Sequence, residues 1–178
     1  VGIAKTHSGV KLFYAILFND ESTLFKAKEK LILSHGDIDL ESPVFRFDYT
    51  SYYEREMGKE IKRIFYCFKN LIKPDELADI KIRSNEAELS FSDENRQRTI
   101  NLDPGYMTLA KIVLASAKDN IQRIYIKNGI YEEITLYYKN DTFNAFDWTF
   151  PDYRESYIPF FNSMRNRCKS QLKNGGMN

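Results

Sequence analysis

The stretch VKLFYAILF at residues 10–18 is nearly continuous in apolar character. Its length and its aromatic and β-branched content predict a central strand. Asn19, Asp20 and Ser22 then supply turn and capping groups for a helix to about Ser34, with Leu24, Ala27 and Leu31 on one side and Gly36 ending it. A second strand is expected over Val44 to Tyr49. Residues 61–72 read two ways. Ile61, Ile64, Phe65, Phe68, Leu71 and Ile72 have helical spacing, whereas IFYCF has strand composition. We take a strand near Lys62–Phe68, preceded by a short helical turn around Tyr52–Met57. Pro74, Asp75 and Glu76 open the next helix, which Leu77, Ile80, Ser84, Ala87 and Phe91 continue up to the polar SDENRQR stretch.

NLDPGYMTLAK reads as a further helix start. Asp103 would cap it, Pro104 would occupy its first turn, and Leu102 would pack on Met107, with Ala110, Val113, Leu114 and Ala117 as its buried face. Ile121 to Lys127 alternates as a strand, Asn128-Gly129 is a two-residue hairpin signal, and Tyr131 to Tyr138 returns. KNDT makes the next turn, and Phe143 to Trp148 adds a third strand. Tyr157, Phe161, Met164, Cys168 and Leu172 form a last helical stripe, with Pro159 tolerated in its first turn. The expected fold is α+β: a predominantly antiparallel sheet packed with about four helices, including a β-meander near residues 121–148. Residues 1–178 are expected to form a single compact domain with flexible ends at 1–9 and 174–178.

Composition agrees with a packed core, since 43% of the 178 residues are hydrophobic and 15% aromatic. A formal charge of +1 argues against strong whole-domain attraction to nucleic acid. The charge is uneven: residues 154–178 hold Arg154, Arg165, Arg167, Lys169 and Lys173 against Glu155. Cys67 and Cys168 are the only cysteines and form no CxxC motif, which suits a reducing cytoplasm. No stretch approaches eighteen apolar residues and no signal peptide is evident, so no membrane partner is expected. The chain begins at Val rather than Met, which leaves an upstream segment open.

Several chemistries are excluded. GxxxxGK[ST], GxGxxG and GxSxG are all absent, and His7 and His35 are the only histidines. Asp37, Asp39 and Glu41 alternate near His35 without the calcium-loop pattern, so we read a hydrophilic loop and predict no metal. No cofactor is predicted either. Glu54, Glu56, Lys81, Glu86, Asp103 and Lys111 flank apolar segments where acid–base chemistry is feasible, although surface ion pairs explain each of them. Tyr125, Tyr137 and Trp148, with Arg96, Arg98 and Arg123, fit stacking on single-stranded RNA, although strand aromatics more often fill cores. In NAFDWTFPDYR, Trp148, Pro151 and Tyr153 offer a rigid wall and Asp147, Asp152 and Arg154 polar orientation. Combined with NLDPGY, this gives a candidate pocket of Lys81, Glu86, Arg98, Asp103, Tyr106, Lys111, Trp148, Asp152 and Tyr153. No catalytic residue is assigned.

FDYTSYYEREMG at 47–58, LIKPDELADIKIRSNEAE at 71–88, NLDPGYMTLAKIVLASAKD at 101–119, RIYIKNGIYEEITLYY at 123–138 and WTFPDYR at 148–154 together resemble an uncharacterised prokaryotic family, number 4416 in the domain-of-unknown-function series. The resemblance spans essentially the whole chain and implies no activity or catalytic residue. Three function classes stay open: an accessory protein binding a small anionic ligand or RNA, an enzyme using carboxylate and lysine on a small anionic substrate, and an interaction module forming a homo-oligomer.

Overall fold

Strand β1 (Val10–Phe18) is buried at all nine positions because it is paired on both edges, by β4 (Lys62–Ile72) and β5 (Ile100–Met107). The computed structural model describes residues 1–50, 52–92 and 97–174, with only the backbone at residue 55. Among these, one antiparallel sheet runs in the order β2 (Ile38–Glu41), β4, β1, β5, β6 (Lys111–Ser116), β8 (Ile130–Lys139), β7 (Ile124–Lys127). Beside that path, β3 (Phe45–Arg46) pairs with β4 and β9 (Thr142–Ala145) pairs with β8. The helices are α1 (Glu21–His35), α2 (Glu54–Met57), α3 (Leu77–Ser90), α4 (Pro151–Arg154) and α5 (Ile158–Lys173), with a 3-10 turn at Pro74–Glu76 leading into α3. The protein is thus α+β and mostly antiparallel. None of its described helices is long and apolar enough to cross a membrane.

Alternation along β1 sorts the core into two layers. Leu12, Tyr14, Ile16 and Phe18 pack with Leu24, Ala27 and Leu31 of α1 and with Ile80 and Ala87 of α3. Phe13 and Ala15 face the other way, onto Tyr153 of α4 and Phe160, Phe161, Met164 and Cys168 of α5. The helix stripes expected from spacing are therefore the buried ones. Asp20 caps α1 by accepting from the Thr23 amide at 2.7 Å. Cys67 and Cys168 are both buried as free thiols.

The ambiguous segment 61–72 is strand, and β4 extends four residues beyond the expected Phe68. Its inner positions pair with both β1 and β2, and its side chains alternate between the two core layers, Ile64, Tyr66 and Phe68 in one and Phe65 and Cys67 in the other, so the apolar run is covered on both faces rather than on one helical stripe. The strand expected over Val44 to Tyr49 is reduced to β3, while Ile38–Glu41, read as part of a hydrophilic loop, pairs with β4. Asn128 and Gly129, at φ 52° and 77°, make the left-handed turn between β7 and β8, and β9 follows in a second hairpin. Both β7 and β9 pair along the edge of β8 that β6 leaves free. The gap between them, at Ile134 and Thr135, is closed by the Trp148 indole and Thr149 hydroxyl donating to those two carbonyls at 3.0 and 2.6 Å. Residues 1–9 carry no helix or strand, and residues 175–178 of the expected flexible end lie outside the described residues.

The helix expected from Asp103 is not formed. Residues 100–116 make the hairpin β5–β6, turning at Thr108, whose backbone amide donates to Lys111 and whose hydroxyl accepts from the amides of Ala110 and Lys111. Asp103 lies within a strand and caps nothing. Ile112, Val113 and Leu114 favour a pleated surface, and tertiary pairing with β1 overrides a local signal that fits a helix start.

Gly105 marks the closest approach in this sheet. A Cβ there would lie 2.5 Å from Phe13 Cζ and 2.6 Å from the Val113 carbonyl oxygen. We expect Gly105→Ala to lower unfolding free energy by about 1–3 kcal/mol. Urea unfolding checks this, and a change below about 0.5 kcal/mol would contradict the close packing described.

Candidate functional site

The β5–β6 ladder is paired only from Gly105 to Met107, although β5 continues back to Ile100 against β1. Antiparallel pairing turns the peptide groups of alternate residues to the same edge, so Leu102, Pro104 and Tyr106 share an orientation. Pro104 has no N–H to give to β6, and the ladder opens there. The next peptide in that row, Leu102, is taken by α3 instead. Its amide donates to Glu88 Oε1 at 2.6 Å, and its carbonyl accepts from Lys81 Nζ at 3.2 Å. Lys81 and Glu88 lie seven residues apart, two turns along one helix face. Both are buried. Their side chains occupy the place of a missing strand.

Lys81 also donates to Asp103 Oδ1 at 2.9 Å, and Asn101 donates to Asp103 Oδ2 at 2.6 Å. Burial would raise the Asp103 carboxyl, but Lys81, Arg63 and Asn101 more than cancel it and hold it below the ordinary aspartate range. Arg98 closes the cluster, reaching Glu56 at 2.6 Å, Asn101 at 3.1 Å and Glu88 at 3.3 Å. Burial raises the Glu88 carboxyl despite Lys81 beside it.

Arg63 lies on the same face, one strand beyond β1. Leu17 pairs with both Arg63 and Asn101, and Ala15 pairs with both Phe65 and Asp103. Arg63 and Asp103 are therefore diagonal to one another, with Leu17 and Ala15 of β1 between them. The Asp103 side chain, held among charged groups, is still 29% exposed, so water reaches it. Arg63 is buried and lies about 5–6 Å from the rings of Phe47, Phe65 and Tyr153. Among the described residues its only hydrogen bond is a long one, 3.5 Å to Asp152 Oδ2, and Nε has no partner. Burial opposes the Arg63 charge, but Tyr153 and Asp152 outweigh it and its pKa is raised. Burial also raises Asp152, by more than Arg63 lowers it. The Tyr157 hydroxyl, beside Asp152, is buried without a well-formed hydrogen bond.

Residues 47–50 and 52–57 cross this end of the sheet. Phe47 lies over Arg63, and Tyr49 hydrogen-bonds Ser156 at 3.0 Å. Lys118 holds the Tyr52 hydroxyl at 2.6 Å, while the Arg98 guanidinium lies 6.0 Å from the Tyr53 ring. Burial, with Asp103 nearby, raises the Tyr53 hydroxyl well above its ordinary value.

Of the residues singled out from sequence, Lys81, Arg98 and Asp103 share one network, and Asp152 and Tyr153 join it at Arg63. Glu86 is exposed on α3. Tyr106 packs with Val113 and Ala115 on the α3 face of the sheet, away from Arg63. Lys111 is electrostatically coupled to Glu132, a carboxyl on that same face that burial raises to about 7. Trp148 stacks on Phe146 at the β8 edge. Sequence reasoning passed over Arg63, Glu88 and Asn101, while Glu56, read as a candidate acid that a surface ion pair would explain, does pair with Arg98 at 2.6 Å. One signal was available: Arg63 is a cation at an inward position of an apolar strand. Around His35, Asp39 binds Lys11, Glu41 binds Lys28 and the imidazole meets the Tyr14 hydroxyl at 3.0 Å, and no metal-binding cluster occurs among the described residues.

The family model described as a domain of unknown function, DUF4416, matches residues 8–168, and the chain belongs to this family. No curated protein and no solved structure matches the chain significantly.

Burial, aided by Arg83, lowers the His35 pKa from 6.5 to about 4. The unfolded chain therefore takes up a proton that the folded one refuses, and the stability this residue contributes is lost as pH falls from about 6.5 to about 4. The unfolding free energies of wild type and His35→Gln should converge across that interval and stay parallel above it. A constant difference down to pH 4 would contradict a buried neutral imidazole.

Proposed function

We propose that the protein binds a small molecule through an anionic group docked on Arg63, between the sheet, α4 and residues 47–50 and 52–57. The observation that carries this reading is the buried guanidinium with one long contact. A guanidinium has five N–H donors in a fixed fork and keeps its charge at any physiological pH. A structural arginine at this depth normally meets a carboxylate in two bonds near 2.8 Å, and each buried donor left unmade costs about 1–3 kcal/mol. An incoming carboxylate, sulfate or phosphate oxygen would supply the missing acceptors. The part-exposed Asp103 side chain supports entry from that side.

The alternative of acid–base chemistry at Lys81 and Asp103 is less well supported. Asp103 is a weakened base, and Lys81 is committed to Asp103 and to the Leu102 carbonyl. For RNA, the rings and cations do not form a joint surface. Arg123 is bound to Glu133 and Arg98 to Glu56, Tyr137 packs on Phe146, and Arg96 lies outside the described residues.

A thermal-shift screen of small carboxylates, sulfate and phosphate at matched ionic strength tests the reading. At about a hundred times its Kd, a binding anion should raise Tm by roughly 5–10 °C. Arg63→Met should remove that increment, with circular dichroism confirming that the variant folds. No response beyond a chloride control, or an unchanged response in folded Arg63→Met, would contradict the proposal.

A further inference from the structure

Two groups of opposite charge on one face of the sheet have bonding capacity to spare. Arg63 on β4 has donors without acceptors. Asp103 on β5 accepts once at each oxygen, from Lys81 and Asn101, leaving a further lone pair on each, and its side chain is 29% exposed. Their strands are separated by β1 alone and they stand one step apart along it, so their backbones lie about 12 Å apart with both side chains on one face. Leu17 and Ala15 lie between them, Ala15 adding only a methyl group beside Asp103. The depressed pKa of Asp103 keeps its negative charge at neutral pH.

The charge count decides what kind of molecule suits this space. Lys81, Arg63 and Arg98 face Glu56, Glu88, Asp103 and Asp152, so the described cluster already holds one carboxyl group more than it has cations and has no cation to spare for a second anion. A phosphate dianion would add two negative charges beside aromatic walls, where uncompensated charge is poorly solvated. A zwitterion adds none. We infer that the anion taken by Arg63 is the carboxylate of a small amino acid-like zwitterion, whose ammonium is taken by Asp103; this rests on the Arg63 docking reading above. The Tyr157 hydroxyl, buried without a good partner beside Asp152, is a second donor for the carboxylate. Phe47, Tyr53 and Tyr153 supply apolar surface for the remainder of the molecule.

Calorimetric titration of the full chain at pH 7 with L-alanine, L-phenylalanine, their N-acetyl derivatives and inorganic phosphate tests this. N-acetylation keeps the carboxylate and removes the ammonium. The expected result is that at least one free amino acid binds roughly tenfold or more tightly than its N-acetyl derivative, as one charged contact implies. Asp103→Asn should erase that preference, and Asp103→Glu, which keeps the charge, should retain much of it. Equal or tighter binding of the N-acetyl derivatives, or binding of phosphate alone, overturns the zwitterion inference and leaves Arg63 docking standing. Binding by none of these probes overturns this inference, and failure of the wider anion screen as well overturns the docking reading with it. The wild-type comparison decides even if Asp103→Asn does not fold.

Discussion

The hold that α3 takes on the peptide of Leu102 governs this end of the molecule. A strand whose edge faces protein rather than water must have its amides and carbonyls satisfied. Pro104 stops β6 from doing so, and a lysine and a glutamate two helical turns apart do it instead. Three consequences follow. α3 is fixed in register against β5, the sheet parts beyond Gly105, and two ionisable side chains enter the interior. Those groups require partners, and Asp103, Asn101 and Arg98 gather around them. The polar cluster is thus a consequence of how the sheet ends.

Two cations sit inside apolar strands of this sheet, and the contrast between them separates a structural role from a binding one. Lys11 on β1 is fully buried and saturated: Asp39 at 2.7 Å, Gln171 at 2.9 Å and the Lys69 carbonyl at 3.5 Å account for its three donors. It ties α5 to β2 and β4. Arg63 is similarly deep, but its partners are mostly ring faces. Cation–π contacts stabilise a guanidinium from above and below and leave its in-plane N–H groups directed outward. Burying that charge without filling its fork is costly for folding alone, and binding would offset the cost.

What the sequence disclosed follows how local each cause is. β1, α1 and the Asn128-Gly129 hairpin were legible because an apolar run, a cap and a turn dipeptide act within a few residues. Asp103-Pro104 misled for the same reason. A cap followed by proline is the local signature of a helix start, and the same two residues also suit a ladder that opens. Only the pairing of Ala15 with Asp103, eighty-eight positions away, distinguishes the two. Lys81, Arg98 and Asp103 stood out because they flank apolar segments. Glu88 did not, since its partner is a backbone amide that sequence cannot point to. Arg63 escaped notice because its meaning lies in contacts it fails to make.

The most direct test of this account is the amide hydrogen exchange of Leu102, followed residue by residue in the full chain. If Glu88 and Lys81 stand in for a strand, that amide exchanges as slowly as ladder amides of β1, and Glu88→Ala speeds it selectively while Ile16 and its neighbours keep their protection. Loop-like exchange of Leu102 in the wild-type protein, or indifference to Glu88→Ala, would mean that α3 does not close this edge and that the polar cluster has another origin.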